Sequence, residues 1–287
     1  MRVVVTGAAG KLGRVVVAHL HAEGYEVAAV DRVPTSLGVP STVVDLTDFG
    51  QVLGALTGVH DRWSAAEAVV HLGAIPAPGL TTNAHLLANN VISTHNVFEA
   101  ARVAGIKKVV WASSETVLGL PFDTPPPYLP VDEEYRVRPE TSYSLGKAVD
   151  EEMAAHFARW DPELSIIGLR YSNVMLPEDY AAFEEWQDDP ALRAWNLWSY
   201  IDARDGAEAV RLALESDIRG FEPFIIAAAD TVMLRPTEEL LTGNLAALEC
   251  RTRIEGRSSL FSVDKARRLL GYEPTHSWRD EPSSEGD

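Results

Sequence analysis

A chain of 287 residues with 46 % apolar and 23 % charged side chains can bury one large domain, or a domain with a smaller lobe, and its composition is that of an ordered globular protein. Its 25 basic and 42 acidic residues leave a net charge of −17, which repels phosphate backbones and anionic bilayers and argues against nucleic-acid and membrane partners. Cys250 is the single cysteine, so no internal disulfide can form; with no signal-like apolar leader and no membrane-length apolar run, a cytoplasmic location is expected.

Short apolar runs alternate with amphipathic stretches through the first two-thirds of the chain. Strands are predicted at Arg2–Thr6, Glu26–Asp31, Ser41–Val44, Ala68–Leu72, Lys108–Ala112 and Ser165–Leu169, and helices at Leu12–Glu23, Asp48–Leu56, Thr82–Ala104 and Ser142–Trp160. Several strands are almost continuously apolar, as strands covered on both faces are. The alternation predicts an α/β fold, a Rossmann-type doubly wound parallel sheet with a small C-terminal substrate lobe. Pro121–Pro139 reads as a loop beside the active site, and Pro177–Ser199, with Phe183, Trp186, Trp195 and Trp198, as a lid or lobe. Asp205-Gly206-Ala207-Glu208 has the form of a capping box opening a helix. A late strand follows at Pro223–Ala229, then a helix over Val263–Leu270 stopped by Gly271. Residues 1–170, with 203–230 returning to them, are expected to form the dinucleotide-binding domain. Residues 171–202 and 231–280 make the substrate lobe, and 281–287 a disordered tail.

Gly7-Ala8-Ala9-Gly10-Lys11-Leu12-Gly13 follows the first strand and opens the first helix. Glycine permits the tight turn and close approach that a pyrophosphate needs, and a helix N-terminus offers free N–H groups. Asp31 ends the second strand, where an acid typically binds a ribose 2′-hydroxyl and repels a 2′-phosphate. This points to NAD over NADP, against the neighbouring Arg32. Asp45-Leu46 either flanks the adenine or caps a helix. His71 reads as structural. Tyr143 and Lys147 stand at i and i+4 on one face of a predicted helix. A phenol titrates near pH 10, and a nearby ammonium with a positive nicotinamide lowers that, so Tyr143 becomes able to take a proton from a carbinol as hydride leaves. Ser113-Ser114, past the fifth strand, offers a hydroxyl to the reacting oxygen.

The order of glycine turn, acid, strand-end serine, tyrosine and lysine resembles that of the extended short-chain dehydrogenase/reductases, the NAD-dependent epimerase/dehydratases. Asn90–Val97, Trp111–Gly119, Leu169–Val174, Trp198–Asp205 and Lys265–Pro274 resemble further family segments. The resemblance implies that Ser114, Tyr143 and Lys147 are the catalytic residues. It implies cofactor contacts from Gly7, Gly10, Lys11, Leu12, Gly13, Asp31, Arg32, Asp45 and Leu46. Leu72, Gly73, Ala74, Asn90, Tyr143, Lys147 and Tyr171 complete that set, while Ile75, Ser114, Glu115, Thr116 and Asn173 are implied to face substrate. Glu115 and Thr116 replace the Asp-Glu pair of the family's sugar dehydratases, which disfavours dehydration. The compact length and the segments at Thr6 and His71 are partly similar to uronate dehydrogenases.

The expected activity is hydride transfer at a carbinol or ketone carbon of a sugar, as dehydrogenase or epimerase; the alternative is a dinucleotide-sensing protein without turnover. A homodimer through the helices Thr82–Ala104 and Ser142–Trp160 is implied by resemblance alone. Trp186, Trp195 and Trp198 stack on a sugar or cover the lobe's own core. Arg170 meets a carboxylate or phosphate, or forms a buried ion pair with the acidic lobe, and Glu115 touches substrate hydroxyls or caps its loop. The eight histidines show no ligand spacing, so no metal is expected.

Overall fold

In the computed structural model, which describes residues 1–58 and 63–281, seven parallel strands form one sheet. They are β1 (Arg2–Thr6), β2 (Glu26–Asp31), β3 (Ser41–Val43), β4 (Ala68–His71), β5 (Lys108–Ser114), β6 (Ser165–Tyr171) and β7 (Gly220–Ile226), in the spatial order β7-β6-β5-β4-β1-β2-β3. Helices α1 (Lys11–Ala22), α2 (Phe49–Thr57), α3 (Asn83–Val103), α4 (Ser142–Trp160) and α5 (Ala203–Glu215) connect them. The expected Rossmann-type α/β sheet is what the chain adopts.

Side chains alternate across each strand, so the sheet divides the core in two. Val3 and Val5 pack with Val16, Val17 and Leu20 of α1 and with Val210 and Leu214 of α5. Val4 and Val30 face the other way, onto Val52 and Leu56 of α2, Val97 and Phe98 of α3, and Phe157 of α4. Burial of both faces explains why β1 reads as an unbroken valine run.

Four boundaries depart from expectation for physical reasons. Strands β5 and β6 run on through Ser113-Ser114 and Arg170-Tyr171, whose polar groups are buried because Glu151 satisfies Ser113 and Arg170, Thr116 bonds Ser114 and the Gly206 carbonyl takes the Tyr171 hydroxyl. The late strand starts at Gly220, and its Pro223 is tolerated because β7 is an edge strand paired only with β6. The expected capping box at Asp205 does not form. Asp202 caps α5 instead, accepting from the Arg204 backbone N–H at 2.7 Å, while Asp205 lies inside the first turn and accepts from the backbone N–H groups of Thr275 and His276, each at 2.9 Å. Glu281 pairs with Arg204, so the tail is tethered at its first residue; residues 282–287 lie outside the described residues.

Pro121–Pro139 is not wholly irregular, since Tyr128–Leu129 pairs with Glu249–Cys250. The span 177–194 folds as short helical turns around a fully buried Phe183, ringed by Tyr180, Trp186, Tyr200 and Trp278. Helix α6 (Asp264–Leu270) ends on Gly271 at φ 72°, the left-handed stop anticipated for it. Among the described residues no helix is long and apolar enough to cross a membrane.

Candidate active site

Chain order reverses between β1 and β4, the switch point where ligands lodge at the carboxyl edge of such sheets. Gly7 turns there at φ +70°, and a Cβ on it would lie 2.6 Å from the Gly73 nitrogen, so the turns after β1 and β4 touch through backbone alone. A Cβ on Gly13 would fall 2.0 Å from the Gly7 carbonyl oxygen, which is how closely α1 seats on the turn. Helix α1 starts from Gly10 with no side-chain cap, leaving its first N–H groups for an anion. This cradle fits the pyrophosphate of a dinucleotide.

The other residues expected around the cofactor are placed as follows. Asp31 Oδ2 accepts from the Ala9 N–H at 2.9 Å and Oδ1 from the Val33 N–H at 3.2 Å, so the carboxylate braces the glycine turn while keeping lone pairs for a ligand. Arg32 is exposed beside it. Asp45 accepts from the Thr47 backbone and hydroxyl, which hold its carboxyl below the usual range; the helix cap belongs to Asp48. Leu46 fills the space over Gly73, its Cδ1 2.4 Å from where a Cβ would stand. The Leu72 N–H donates to the Thr6 carbonyl at 3.1 Å, and Ala74 follows, half-buried. Asn90 accepts from the Ile75 N–H at 2.8 Å and from Asn89 Nδ2 at 3.0 Å and donates to the Ile75 carbonyl at 3.0 Å, and so shapes the strand end. Lys11 reaches across to Asp179 of the lobe at 2.7 Å. Leu12 and Tyr171 both pack against Gly206, and the Tyr171 hydroxyl donates to the Gly206 carbonyl at 2.9 Å.

Ser114 ends β5, and Tyr143 and Lys147 project from the first turns of α4. That helix starts on a reciprocal cap: Thr141 Oγ1 accepts from the Ser144 N–H at 3.1 Å, and Ser144 Oγ accepts from the Thr141 N–H at 2.9 Å. All three side chains are buried. The Ser114 hydroxyl lies close to the Tyr143 phenol and lowers its pKa. Burial outweighs that, and with Asp150 and Glu115 pushes the phenol up to about 12. In the protein alone the phenol is therefore held neutral, the reverse of the expected depression. Lys147 donates to the Ala112 carbonyl at 2.6 Å over the Trp111 ring, and burial pulls its pKa down. His71 is structural as expected, its Nδ1 2.7 Å from Thr6 Oγ1, and burial carries its pKa down to about 3.

Behind Ser114 lies a polar cluster that sequence reasoning only partly located. Glu115 is buried; its Oε2 accepts from Ser172 Oγ at 2.6 Å and its Oε1 from Asn196 Nδ2 at 3.1 Å, and burial pushes its pKa up to about 7. Arg193 donates to the Ser199 carbonyl at 3.0 Å and, with the Asn173 oxygen turned toward it, to Asn173 at 3.0 Å. Its guanidinium sits 4.4 Å from the Trp186 ring centre and 5.2 Å from that of Trp195. Trp186 and Trp195 thus flank an arginine, and Trp198 is core. Thr116 donates from its hydroxyl to Ser114 Oγ at 3.0 Å. Arg170 pairs through Nε and Nη2 with Glu151 of α4 at 2.9 and 2.8 Å, so its buried acid partner comes from α4 and not from the acidic 177–199 segment, while its Nη1 has no partner among the described residues. Arg193, Asn196, Ser172 and Ser199 were not anticipated; Arg193 and Asn196 are one helical turn apart, a spacing too common to signal a site. Among the described residues no three His, Cys, Asp or Glu side chains gather to hold a metal ion.

Comparison with known proteins adds to this geometry. The profile of the NAD dependent epimerase/dehydratase family matches residues 3–227. An NAD-dependent glucose-6-phosphate dehydrogenase of Haloferax volcanii is 26 % identical over 95 % of this chain and 92 % of its own length. UDP-glucose 4-epimerase 2 of Oryza sativa subsp. japonica is 34 % identical over 69 % of this chain, which spans only 50 % of that protein. The structure of MoeE5 with UDP-glucose and NAD superposes with a TM-score of 0.72 at 27 % identity, covering 98 % of this chain and 95 % of that one. A mutated uronate dehydrogenase, 22 % identical, shares the fold with a TM-score of 0.68 over 100 % of this chain and 88 % of its own.

Proposed function

The chain belongs to the NAD dependent epimerase/dehydratase family, and from that premise we propose that it is an NAD-dependent dehydrogenase acting at a carbinol carbon of a compact sugar that carries no nucleotide. The observation that carries this reading is the convergence of Ser114, Tyr143 and Lys147, all buried, at the carboxyl edge of the sheet beside a glycine turn with open N–H groups. Asp31 at the end of β2 supports NAD over NADP.

Gly7, Gly10 and Gly13 would seat the pyrophosphate against α1, and Asp31 and Lys147 would hold the two riboses. Bound NAD supplies the hydride acceptor and a positive ring charge beside the phenol. Ser114 donates to the substrate oxygen and fixes it near Tyr143. Tyr143 takes the carbinol proton, and the Lys147 ammonium stabilises the phenolate form that accepts it. In the reverse direction the same phenol returns the proton to a ketone. Ile75, Glu115, Thr116 and Asn173 border this point and belong to sugar recognition.

Two observations support a sugar without a nucleotide, although MoeE5, solved with UDP-glucose, matches this chain over a similar length. The Haloferax dehydrogenase aligns over nearly the full length of both chains. Arg170 and Arg193, buried guanidinium groups near the site, spend most of their donors on Glu151 and on the Ser199 and Asn173 oxygens, with Arg170 Nη1 and Arg193 Nε unpartnered among the described residues, which disfavours a diphosphate there. The residues of 171–202 and 231–280 form the lobe that closes on the sugar. A homodimer through α3 and α4 is supported by the exposed apolar side chains Ile92, Val103, Leu145, Val149 and Trp160, and light scattering measures it.

The test is NAD reduction, followed at 340 nm, across sugars, sugar phosphates and sugar acids, with Tyr143→Phe as control. NADH should appear with one of these classes and fall at least 10²-fold in the variant. Interconversion of epimers with NAD retained through purification would make the protein an epimerase, and undiminished turnover by Tyr143→Phe would refute the assigned chemistry.

A further inference from the structure

One turn beyond Lys147, on the same face of α4, stands another buried carboxylate, Asp150. Its Oδ2 accepts from Thr94 Oγ1 at 3.0 Å, and its Oδ1 meets no donor among the described residues. Thr94 Oγ1 lies 3.3 Å from His71 Nε2, and His71 Nδ1 lies 2.7 Å from Thr6 Oγ1. A line of buried polar side chains therefore passes from α4 through α3 and β4 to the end of β1, under the floor of the site.

A buried ammonium needs a counter-charge, because desolvation favours its neutral form. Two carboxylates oppose that effect on Lys147, Asp150 first and Glu151 second. They are not equivalent. Glu151 is held by Arg170 and also accepts from Ser113 Oγ at 2.7 Å, so a guanidinium already balances its charge. Asp150 makes no ion pair among the described residues; burial carries its pKa up to about 7, and Lys147, one turn away, and Thr94 oppose that rise while the adjacent Glu151 adds to it. His71, reached through Thr94, is kept neutral by burial and by Lys147, and Asp150 pushes the Tyr143 phenol up.

We infer that Asp150 is the positioning residue that keeps Lys147 protonated in its buried site, and thereby sets the pH range in which Lys147 can assist Tyr143. The consequence for turnover rests on the function proposed above; the charge coupling between the two side chains does not.

The experiment is an NMR titration of the full chain labelled with ¹³C at lysine Cε. It carries five lysines, and the Lys147 signal is the one lost in Lys147→Met. In Asp150→Asn, which keeps an acceptor for Thr94, the Lys147 midpoint should fall by about one pH unit or more, and Asp150→Glu should restore it. An Asp150→Asn midpoint equal to that of the wild type overturns the inference. Should that variant not fold, the wild type decides. Its Lys147 signal must then show a second, smaller inflection near neutral pH as Asp150 protonates, and a single smooth transition overturns the inference. None of these readouts needs a substrate, so the result is independent of the Tyr143→Phe assay.

Discussion

Replacing Lys147 with methionine separates the two jobs assigned to its ammonium. Without cofactor the Tyr143 phenol is held near 12, so at pH 8 only about one molecule in 10⁴ carries phenolate. A cation within a few ångströms is worth about 1–3 pKa units. Methionine, similar in length and without charge, removes that share and leaves only the charge of the bound cofactor. Turnover at pH 8 with saturating NAD should fall about 10- to 10³-fold. The loss should also shrink once pH passes the pKa of the wild-type phenol in the NAD complex, because wild-type turnover then levels off while the variant, with its higher pKa, still gains tenfold per unit until it ionises. The assay is kcat for NADH formation at half-unit steps from pH 7 to 10, with NAD affinity measured in parallel. A deficit that stays the same size above the pH at which wild-type turnover levels off would mean that Lys147 only holds the ribose, and the argument for a tuned phenol would fail.

Asp31→Ser removes the carboxylate that ends β2, so the ratio of kcat/KM with NADP to that with NAD should rise at least tenfold; an unchanged ratio would place discrimination elsewhere, with Arg32 the next residue to alter. Glu151→Ala strands the Arg170 guanidinium in the core and should cost about 3–5 kcal/mol in urea unfolding; a loss under 1 kcal/mol would mean water reaches that pair. Glu115 is a carboxyl raised to about 7 when folded, so the folded state binds more protons than the unfolded state between its ordinary value and pH 7. Its burial therefore costs progressively more stability as pH rises through that window. Glu115→Gln should gain melting temperature relative to wild type from about pH 4.5 to 7 and level off above. A difference that does not vary with pH would remove the titration from Glu115.

The sheet was readable because its strands are buried on both sides, leaving runs such as Val3-Val4-Val5 with no ambiguity of face. Where β5 and β6 carry Ser113, Ser114 and Arg170, hydropathy ended the strands early. Those polar groups are buried only because Glu151, far along the chain, satisfies Ser113 and Arg170. The glycine turn and the Tyr143–Lys147 spacing could be read because each lies within a few residues. The Glu115–Arg193 cluster and the Asp150–Thr94–His71 line could not, since their members meet only after the chain has folded. The Asp205-x-x-Glu208 pattern misled for a related reason. Asp202 competes for the same helix start, and Asp205 gains more by holding Thr275 and His276.

The reciprocal cap between Thr141 and Ser144 has a bearing on how this scaffold changes over time. Tyr143 sits inside the turn that this pair locks, while Ser114 is anchored by its own strand. Apart from its ends, where Thr116 donates to Ser114 Oγ and the Glu140 N–H to Ser144 Oγ, the long excursion between them, residues 117–139, makes no hydrogen bond to either hydroxyl among the described residues. That excursion can be rewritten to welcome a different sugar, by drift or by design, without re-aligning the groups that carry out the chemistry.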